Sequence, residues 1–501
     1  MKYTAINIGP IVKTLDMARK PRELWAASYL FSFLMKRIVM SIQNKGVIIS
    51  PATIDDTEKN GIGLYPDRVF IKGGELSFDD IQEVLIKYAI DLSLNSDYFN
   101  VMMVDGDYNK DAAAIKELNR QLDVMELFDL TSGGSDSAKV RELIGLKYGS
   151  KLFEDASGKK DFPIETLAEI AAVELKDGSA NWGEFVEAAK SDDKKISEKA
   201  FDALPKDKLN SYHKYICVVQ ADGDNVGKTV SHSQLQDGKV NEISSALLEF
   251  GKDATEKIKT YGGLPIYAGG DDLLFIAPVV GIDHTNIFQL LEKLNNDSFG
   301  KVKDLVDNQR LKNENDEDIH ASLSFGVSIT YYKYPLYEAL ESSRHLLFDV
   351  AKDKKKFPDK NSIVVDWRKH SGGAFAMQFS KSKEELKKAF DKMIEASEKK
   401  VEESVVSAVA HKIKENEGIL GLWIGKDDAV ERNGNFFQKY LEHNPNKEED
   451  KKTASDLYKD AALDLLNELF KTETDISQLT RTMYGMLRMA KFINGEEVKD
   501  E

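Results

Sequence analysis

Two glycine-aspartate motifs stand at the ends of apolar runs near the middle of the chain, and they restrict the fold more than any other feature. The run Tyr215 to Ala221 ends in Asp222-Gly223-Asp224, and the runs Leu264 to Ala268 and Leu273 to Pro278 flank Gly269-Gly270-Asp271-Asp272. The first pattern predicts a strand that runs into a loop. The second predicts a hairpin closed by a glycine turn.

The periodicity around these motifs predicts a ferredoxin-like module. Apolar residues spaced by three and four between Ile243 and Ile258 predict a helix that stops at Gly262-Gly263. The remaining elements are expected to be a helix, a strand, a helix and a strand, at 285–306, Ser322–Thr330, Leu336–Val350 and Ile363–Trp367. The order β-α-β-β-α-β, with an additional α-β, is typical of polymerase palms, in which helices cover one face of an antiparallel sheet.

The first 150 residues predict a weaker copy of this arrangement. Its strands and helices are expected, in chain order, at Tyr3–Ile8, Arg22–Ile42, Val47–Ser50, Arg68–Lys72, Phe78–Leu94 and Phe99–Val104. At the places where the middle module has carboxylates, this copy has Asn7-Ile8-Gly9-Pro10 and Ile49-Ser50-Pro51. No metal site is therefore expected in the first copy.

The chain divides into four predicted domains with an α+β fold. They are a first, degenerate palm domain at 1–150, a small helical insert at 151–210, a second, catalytic palm domain at 211–378 and a helical C-terminal domain at 379–501. The insert is rich in Lys, Asp and Ser, and the C-terminal domain alternates charged and apolar residues at helical spacing.

Charge and cysteine content exclude several classes of protein. The lone Cys217 rules out a disulfide framework and a cysteine-rich zinc site. The longest nearly apolar run, Leu24 to Met35, is shorter than the ~20 residues that span a bilayer, and the N-terminus lacks the apolar core of a signal peptide. A cytoplasmic protein with no membrane contact is expected. Because 69 Lys and Arg face 85 Asp and Glu, a net charge of −16, any RNA contact requires a local basic groove or a partner subunit.

Asp222, Asp271 and Asp272 are expected to meet at one end of the second palm sheet. Clustered carboxylates without His or Cys suit Mg²⁺ or Mn²⁺, and two such ions activate an attacking hydroxyl and stabilise departing pyrophosphate. Gly269 and Gly270 let the turn close tightly and leave room for a nucleotide. Asp and Gly also form ordinary turns, but two such motifs at the ends of apolar strands favour a metal-dependent nucleotidyl-transfer site.

A competing phosphate-binding interpretation concerns the segment Gly223 to Thr229, which resembles a Walker A loop. Its glycines are separated by three residues instead of four, and Asp222 and Asp224 would face the phosphates. Lys228 is then expected to be a solvated loop lysine. The lysines after Val350 are explained mainly by the dipole of the preceding helix.

Four segments of the chain are similar to one known family. The segments Ile8 to Leu34, Gln220 to Lys228, Gly269 to Pro278 and Met483 to Glu497 together resemble the large, palm-polymerase subunit of type III-B CRISPR effector complexes, the Cmr complexes. The resemblance spans nearly the whole chain. It implies target-RNA-activated synthesis of a nucleotide second messenger from ATP, in antiviral defence.

The resemblance also implies roles for individual residues. Asp271 and Asp272 would be catalytic, and with Asp222 they would bind the metal. The nucleotide-binding residues would be Gly223, Gly269, Gly270 and Lys352, with Lys352 contacting the triphosphate. The C-terminal helices would dock on the small subunit, and crRNA and target RNA would be contacted through the complex.

Two departures from the family pattern bear on the activity. No N-terminal His-Asp nuclease domain precedes the first palm, and no four-cysteine zinc site interrupts the chain, so DNA cleavage is not expected. Many relatives make cyclic oligoadenylates, whereas some that lack the nuclease domain join AMP to S-adenosylmethionine. Both products need the same aspartates, and the preference for cyclic oligoadenylate is slight.

Two further hypotheses stay open. GG[DE][DE] hairpins also occur in diguanylate cyclases, although a duplicated palm and a long helical tail are not needed there. The chain could alternatively serve as a catalytically silent scaffold subunit. Retention of all three aspartates argues against the scaffold, since nothing structural demands two aspartates after the glycine pair.

Overall fold

The chain is described by a computed structural model covering residues 1–52, 59, 61–129, 137–146, 151–158, 166–191, 193–370, 372–398, 401–444, 448 and 452–495. The predicted boundary at residue 150 and the start of the helical pattern predicted from Ile164 lie outside these residues. The three boundaries between the predicted domains stay predictions.

The first palm region has the predicted βαββαβ order. Its elements are β1 Lys2–Gly9, α1 Ile11–Leu15, α2 Pro21–Ile42, β2 Val47–Ser50, β3 Arg68–Lys72, α3 Phe78–Asp91 and β4 Asn100–Asp107, followed by α4 Asp111–Asp129 and α5 Ser137–Gly145. The antiparallel sheet has the strand order β2-β3-β1-β4. The prediction for this region is confirmed to within a few residues at each element's ends, whereas α1, α4 and α5 were not foreseen.

Helices cover both faces of the first sheet. Ile6 and Ile71 join a core cluster with the apolar residues of α2 and α3, while Ala5 and Phe70 join the cluster that contains Leu118 of α4. This alternation follows from the period of two along a strand.

A small helical region follows the first palm, as predicted. Its helices are α6 Lys151–Ser157, α7 Leu167–Ala171, α8 Trp182–Lys190 and α9 Lys194–Glu198. Phe185 of α8 is fully buried, and it forms the centre of a separate core cluster with Phe201 and Leu204. The part from α7 to Leu204 therefore has a core of its own, whereas Leu152 and Phe153 of α6 belong to the core cluster of the first palm.

The second palm region also has the predicted order. Its elements are β5 Tyr215–Asp224, α10 Val226–Val230, α11 Lys239–Tyr261, β6 Leu264–Gly269, β7 Asp272–Pro278, α12 Ile287–Lys293, α13 Gly300–Asp307, β8 Ser322–Tyr331, α14 Leu336–His345, β9 Ser362–Arg368 and β10 Ala374–Ser380. The sheet has the order β10-β9-β8-β5-β7-β6. β8 and β9 are parallel and are joined through α14, and the other neighbouring strands are antiparallel.

Two details of this sheet differ from the sequence-based expectation. The Asp222-Gly223-Asp224 motif is not a loop, because β8 keeps pairing with β5 as far as the Asp224–Ser322 pair. β10 was not foreseen, and it carries the sheet to Ser380, two residues past the predicted domain boundary at 378. Backbone pairing with long neighbouring strands thus outweighs the low strand preference of Asp and Gly.

The C-terminal region is helical, as predicted. Its helices are α15 Glu384–Glu398, α16 Glu403–Glu415, α17 Glu417–Leu420, α18 Ala429–Leu441, α19 Ala454–Thr472 and α20 Ile476–Ile493. At Gly485 of α20 an added Cβ would lie 2.4 Å from the carbonyl oxygen of Ala376. The absence of a side chain there lets α20 cross β10 closely.

The two palm regions share a core and a backbone contact. Leu264, Ile266 and Ile276 of the second palm belong to the same buried cluster as α2 of the first. Gly63 forms an isolated bridge with Tyr267 of β6, and its carbonyl accepts a hydrogen bond of 3.2 Å from the N–H of Ala268. The outer edge of β6 is thereby covered by the first palm. Among the described helices, none has the length and apolarity needed to cross a membrane.

Candidate active site

Asp222 and Asp224 project from β5, a strand inside the second palm sheet. Asp222 lies opposite Ser324 of β8, and Asp224 lies opposite Ser322. Because the two aspartates are two residues apart in one strand, their side chains lie on the same face of the sheet.

The hairpin between β6 and β7 brings Asp271 to the end of β5. Gly270 adopts a φ of +65°, a left-handed conformation that glycine accommodates without strain. The N–H of Gly223 donates a hydrogen bond of 3.1 Å to the carbonyl of Asp271. A Cβ on Gly223 would lie 2.5 Å from Oδ2 of Asp271. Gly223 thus leaves the space that the Asp271 carboxylate occupies.

Lys352 lies directly against Asp222. It follows a π-helical turn, Leu346–Ala351, at the end of α14. Its Nζ forms an ion pair with Asp222, donates to the carbonyl of Gly223 at 3.2 Å and lies 3.7 Å from Oδ1 of Asp224. Burial and the neighbouring Lys360 lower the pKa of Lys352 to about 7, whereas the two carboxylates favour its charged form.

Asp224 is fully buried beneath this ion pair. Its Oδ2 accepts hydrogen bonds from the hydroxyls of Ser322 and Ser324, both at 2.7 Å, and from the N–H of Asn361 at 3.0 Å. Its Oδ1 has no hydrogen-bond partner. Burial raises the pKa of Asp224, and these hydrogen bonds together with the charge of Lys360 act in the opposite direction.

Lysines from separate parts of the chain converge on the same end of the sheet. Nζ of Lys228 donates to Oδ1 of Asn225 at 3.1 Å, and Nζ of Lys360 lies 3.9 Å from Oδ1 of Asp224. The pKa of Lys228 is lowered by desolvation of its ammonium group and by the positive charges of Lys354 and Lys360. In a chain of net charge −16, this cluster of ammonium groups is suited to an anionic ligand.

The two adjacent aspartates of the hairpin resist ionisation. Burial, followed by repulsion from Asp224, raises the pKa of Asp271 to about 6. The side chain of Asp272 keeps an exposed surface, but crowding by surrounding protein atoms and the charges of Asp271 and Asp67 raise its pKa well above the ordinary value. Close carboxylates of this kind gain from a neutralising cation.

Tyr267 connects the first palm to the hairpin. A bulge between Pro265 and Tyr267 shifts the register of β6 against β7, and such bulges re-aim side chains. A Cβ on Gly269 would lie 2.2 Å from the hydroxyl oxygen of Tyr267. Gly269 is therefore needed for the Tyr267 ring as well as for the turn. Burial and the charges of Asp67, Asp272 and Asp271 raise the pKa of this tyrosine.

The donor set at this end of the sheet fits a hard divalent cation. Asp222, Asp271 and Asp272 supply only oxygen atoms, which Mg²⁺ and Mn²⁺ prefer. Throughout the described ranges, no three His, Cys, Asp or Glu side chains are already grouped to hold a metal, and the Lys352 ammonium lies on Asp222 instead. The unpartnered Oδ1 of Asp224 is a further oxygen that faces this position.

The structure adds residues that sequence reasoning did not assign. Asp224 stands in the same motif as Asp222, and this shared motif was the available signal. Lys228, Lys354 and Lys360 carry no local pattern that links them, because only the fold brings them together. Tyr267 precedes the glycine pair, but nothing in the sequence marks the bulge.

Two family models match the chain. Residues 215–364 match the second palm domain of Cas10/Cmr2, and residues 3–63 match the N-terminal region of the CRISPR-associated protein Cmr2. The CRISPR system Cmr subunit Cmr2 of Pyrococcus furiosus is 30% identical over 187 residues, which cover 32% of this chain. The match spans 19% of that relative's length.

Solved structures share the fold at low sequence identity. The apo state of type III-B Cmr-beta gives a TM-score of 0.53 at 12% identity, covering 91% of this chain and 78% of that chain. A Csm1–Csm4 cassette in complex with pppApA gives 0.51 at 13% identity, covering 94% and 69%. A cassette in complex with cA4 gives 0.50 at 14% identity, covering 94% and 70%.

Proposed function

Because this chain is Cmr2-like, with a Cas10/Cmr2 second palm domain and a Cmr2 N-terminal region, we propose that it is the nucleotidyltransferase subunit of a type III-B CRISPR effector complex. Its substrate is ATP and its product is a nucleotide second messenger. Target RNA bound by the complex activates the synthesis.

One observation carries the proposal. Asp222 on β5 and Asp271 on the hairpin are joined through Gly223, whose N–H bonds to the Asp271 carbonyl at 3.1 Å, while lysines gather beside them. Carboxylates next to ammonium groups at a sheet end match the needs of a metal-bound nucleoside triphosphate. A turn with a purely structural role would not require both the carboxylates and the ammonium groups.

In the proposed reaction a ribose hydroxyl of one ATP attacks the α-phosphorus of another. An ester P–O bond forms, the bond between the α-phosphorus and the bridging oxygen breaks, pyrophosphate leaves, and the hydroxyl proton passes to a base or to water. Asp222, Asp271 and Asp272 would hold Mg²⁺ or Mn²⁺, which when bound lowers the pKa of the hydroxyl and neutralises the departing charge.

The chain's own lysines would orient the triphosphate. Lys352, Lys228 and Lys360 are held around the last residues of β5 by the contacts described above. Gly270 has no atom within 4 Å of the place of a Cβ, so the nucleotide can approach the backbone there without meeting a side chain. The positive groups would bind the charged phosphates of the nucleotide.

The two possible products differ in the molecule that accepts the AMP group, and a third alternative is a scaffold role without a product. A second ATP gives oligoadenylates, and structural relatives described as complexes with pppApA and cA4 support this product, including its cyclic form. S-adenosylmethionine as acceptor gives an AMP conjugate. A scaffold that makes neither is the third alternative.

Within the complex, the C-terminal helical region would dock on the small subunit. crRNA and target RNA would be contacted through neighbouring subunits, because this chain carries a net charge of −16.

The test uses the whole effector complex with target RNA, labelled ATP and Mg²⁺ or Mn²⁺, with and without S-adenosylmethionine, and identifies products by mass spectrometry. The double variant Asp271→Ala with Asp272→Ala should form the complex but make no product. Asp105→Ala with Asp107→Ala removes two exposed aspartates of β4 and should keep full activity.

Each outcome decides between the alternatives. Adenylate oligomers from the wild-type complex support the leading proposal, and a conjugate formed only with S-adenosylmethionine supports the second. No product in any condition from an intact complex supports the scaffold. Product from the Asp271/Asp272 double variant would show that the site is assigned wrongly.

A further inference from the structure

Resting on the proposed function, we propose that Lys352 is a resident cation of the nucleotide-free site, which a divalent metal ion must displace from Asp222 before the nucleotide is bound productively. The displaced ammonium then pairs with the triphosphate. Lys352 would thus couple metal binding to nucleotide binding, beyond serving as a phosphate contact.

The Lys352 ammonium group lies among oxygen atoms of β5. Nζ of Lys352 contacts three successive residues of β5 through oxygen atoms, namely a carboxylate of Asp222, the carbonyl of Gly223 at 3.2 Å and Oδ1 of Asp224 at 3.7 Å. A positive charge enclosed by oxygens of this kind occupies a cation position.

The ion pair between Lys352 and Asp222 is largely buried. The Lys352 side chain is 11% exposed and that of Asp222 19%, while Asp224 is fully buried. Removing one partner from a buried ion pair leaves an uncompensated charge, which is strongly unfavourable. The place beside Asp222 and Asp224 therefore needs a positive charge at all times, and Lys352 supplies it in this structure.

A metal ion and the Lys352 ammonium group cannot both occupy the place beside Asp222. A metal ion on Asp222 needs the same oxygen lone pairs that Lys352 uses, and the two positive charges repel. Lys352 lies at the end of a π-helical turn, and its long side chain can rotate away from Asp222. The positive charge of the neighbouring Lys360 opposes this move, so displacement by the metal alone costs free energy, and an anionic triphosphate makes it more favourable.

A coupling between two ligands follows. Without nucleotide, the free energy needed to displace Lys352 opposes metal binding, so the metal affinity is weak. With nucleotide, the displaced ammonium gains a partner, so each ligand strengthens the other by the same factor. A lysine that only contacts phosphate would change nucleotide affinity and leave the nucleotide-free metal affinity unaltered.

The test measures Mn²⁺ binding to the complete complex without nucleotide, by the loss of the free-Mn²⁺ signal in electron paramagnetic resonance. Lys352→Gln should bind Mn²⁺ about tenfold more tightly than wild type, and it should need more ATP for turnover. Lys355→Gln, in the same lysine run and exposed, should match wild type in both measurements. Unchanged or weaker Mn²⁺ binding by Lys352→Gln would overturn the inference.

A second measurement needs no variant and applies if Lys352→Gln does not fold. Acetylation of lysines in the wild-type complex by an amine-reactive reagent is quantified by mass spectrometry, with Lys355 as the internal standard. Mn²⁺ should raise the labelling of Lys352 severalfold, because the displaced amino group becomes exposed to the reagent. Constant labelling of Lys352 would overturn the inference. Both readouts are independent of product formation, so a silent complex would contradict the proposed function alone.

Discussion

The backbone N–H of Gly223 donates a hydrogen bond to the carbonyl of Asp271, with an N···O distance of 3.1 Å. This bond ties the last residues of β5 to the tip of the hairpin, so the relative position of Asp222 and Asp271 is set by the main chain. Small changes at this point should affect chemistry more than folding.

Gly223→Ala is the direct test of that geometry. The added Cβ would meet Oδ2 of Asp271 at 2.5 Å and Cβ of Asp271 at 2.6 Å, which displaces the carboxylate. We expect the rate of product formation to fall about a hundredfold and the free energy of unfolding to fall by about 1–3 kcal/mol. Gly227→Ala is the matched control, since no atom lies within 4 Å of a Cβ added there. Equal rates for the two variants would contradict the prediction.

Gly269→Ala should be rescued in part by a second change. Its Cβ would lie 2.2 Å from the hydroxyl oxygen of Tyr267, so the single variant should lose most activity. Tyr267→Ala removes the whole ring, whose Cζ and Cε2 would also lie 2.5 and 2.8 Å from the added Cβ, and should restore part of the loss in the double variant. A double-mutant cycle on rate and on thermal unfolding measures the coupling. Strict additivity of the two changes would show that the contact is unimportant.

Lys228→Gln should weaken ATP recognition. The lysine lies near Lys354 and Lys360, and we expect KM for ATP to rise about tenfold with kcat nearly unchanged. The effect should shrink as salt is added, because exposed charges are screened. Steady-state kinetics at two salt concentrations measure it, with Lys355→Gln as the control. A loss confined to kcat would rule out a role in binding.

Asp111 should stabilise the contact between the two palms. Its buried carboxylate accepts from Lys72 at 2.7 Å, from the hydroxyl of Tyr3 at 2.9 Å and from the N–H of Gly238 at 3.3 Å. Asp111→Ala leaves these donors unpaired and should lower the free energy of unfolding by about 3–5 kcal/mol, measured with urea. Asp105→Ala breaks only an exposed ion pair and should change the free energy of unfolding little.

Glu174 should make stability depend on pH. Burial alone would raise its pKa, but hydrogen bonds from His213, His284 and Tyr212 hold the pKa below its ordinary value of 4.5. Because the folded-state pKa is depressed, the stabilisation is fully present above pH 4.5 and is lost as the pH falls through the folded value. The difference in unfolding free energy between wild type and Glu174→Gln should therefore shrink on acidification. A constant difference from neutral to acidic pH would contradict this assignment.

Much of the fold could be predicted from the sequence, because each palm element is a local pattern. The helix stripe from Ile243 to Ile258 and the hairpin around Gly269 and Gly270 were confirmed. β10 was missed although Phe375, Met377 and Phe379 alternate in the manner of a strand. The extension of β5 through Asp224 could not be read locally, since only pairing with β8 keeps Asp and Gly in a strand.

The candidate site was predictable only in part, for a related reason. Asp222 and the hairpin aspartates stand in recognisable motifs, so their residue types and order suggested shared chemistry. The ion pair of Lys352 with Asp222 depends on where a turn after α14 ends, and the nearness of Lys228 to Lys360 depends on two crossovers of the chain. Such contacts arise from tertiary structure and leave no periodic signal.

The backbone contact between Gly63 and β6 has a consequence for working with this protein in pieces. A second palm region expressed without residues 1–150 would lose the hydrogen bond from the N–H of Ala268 to Gly63 and would expose the apolar surface around Leu264 and Ile266. Exposed strand edges of this kind recruit other chains into intermolecular sheets. The first palm region thus protects the edge of β6 from aggregation, and a fragment that lacks it should precipitate unless that edge is redesigned with charged residues.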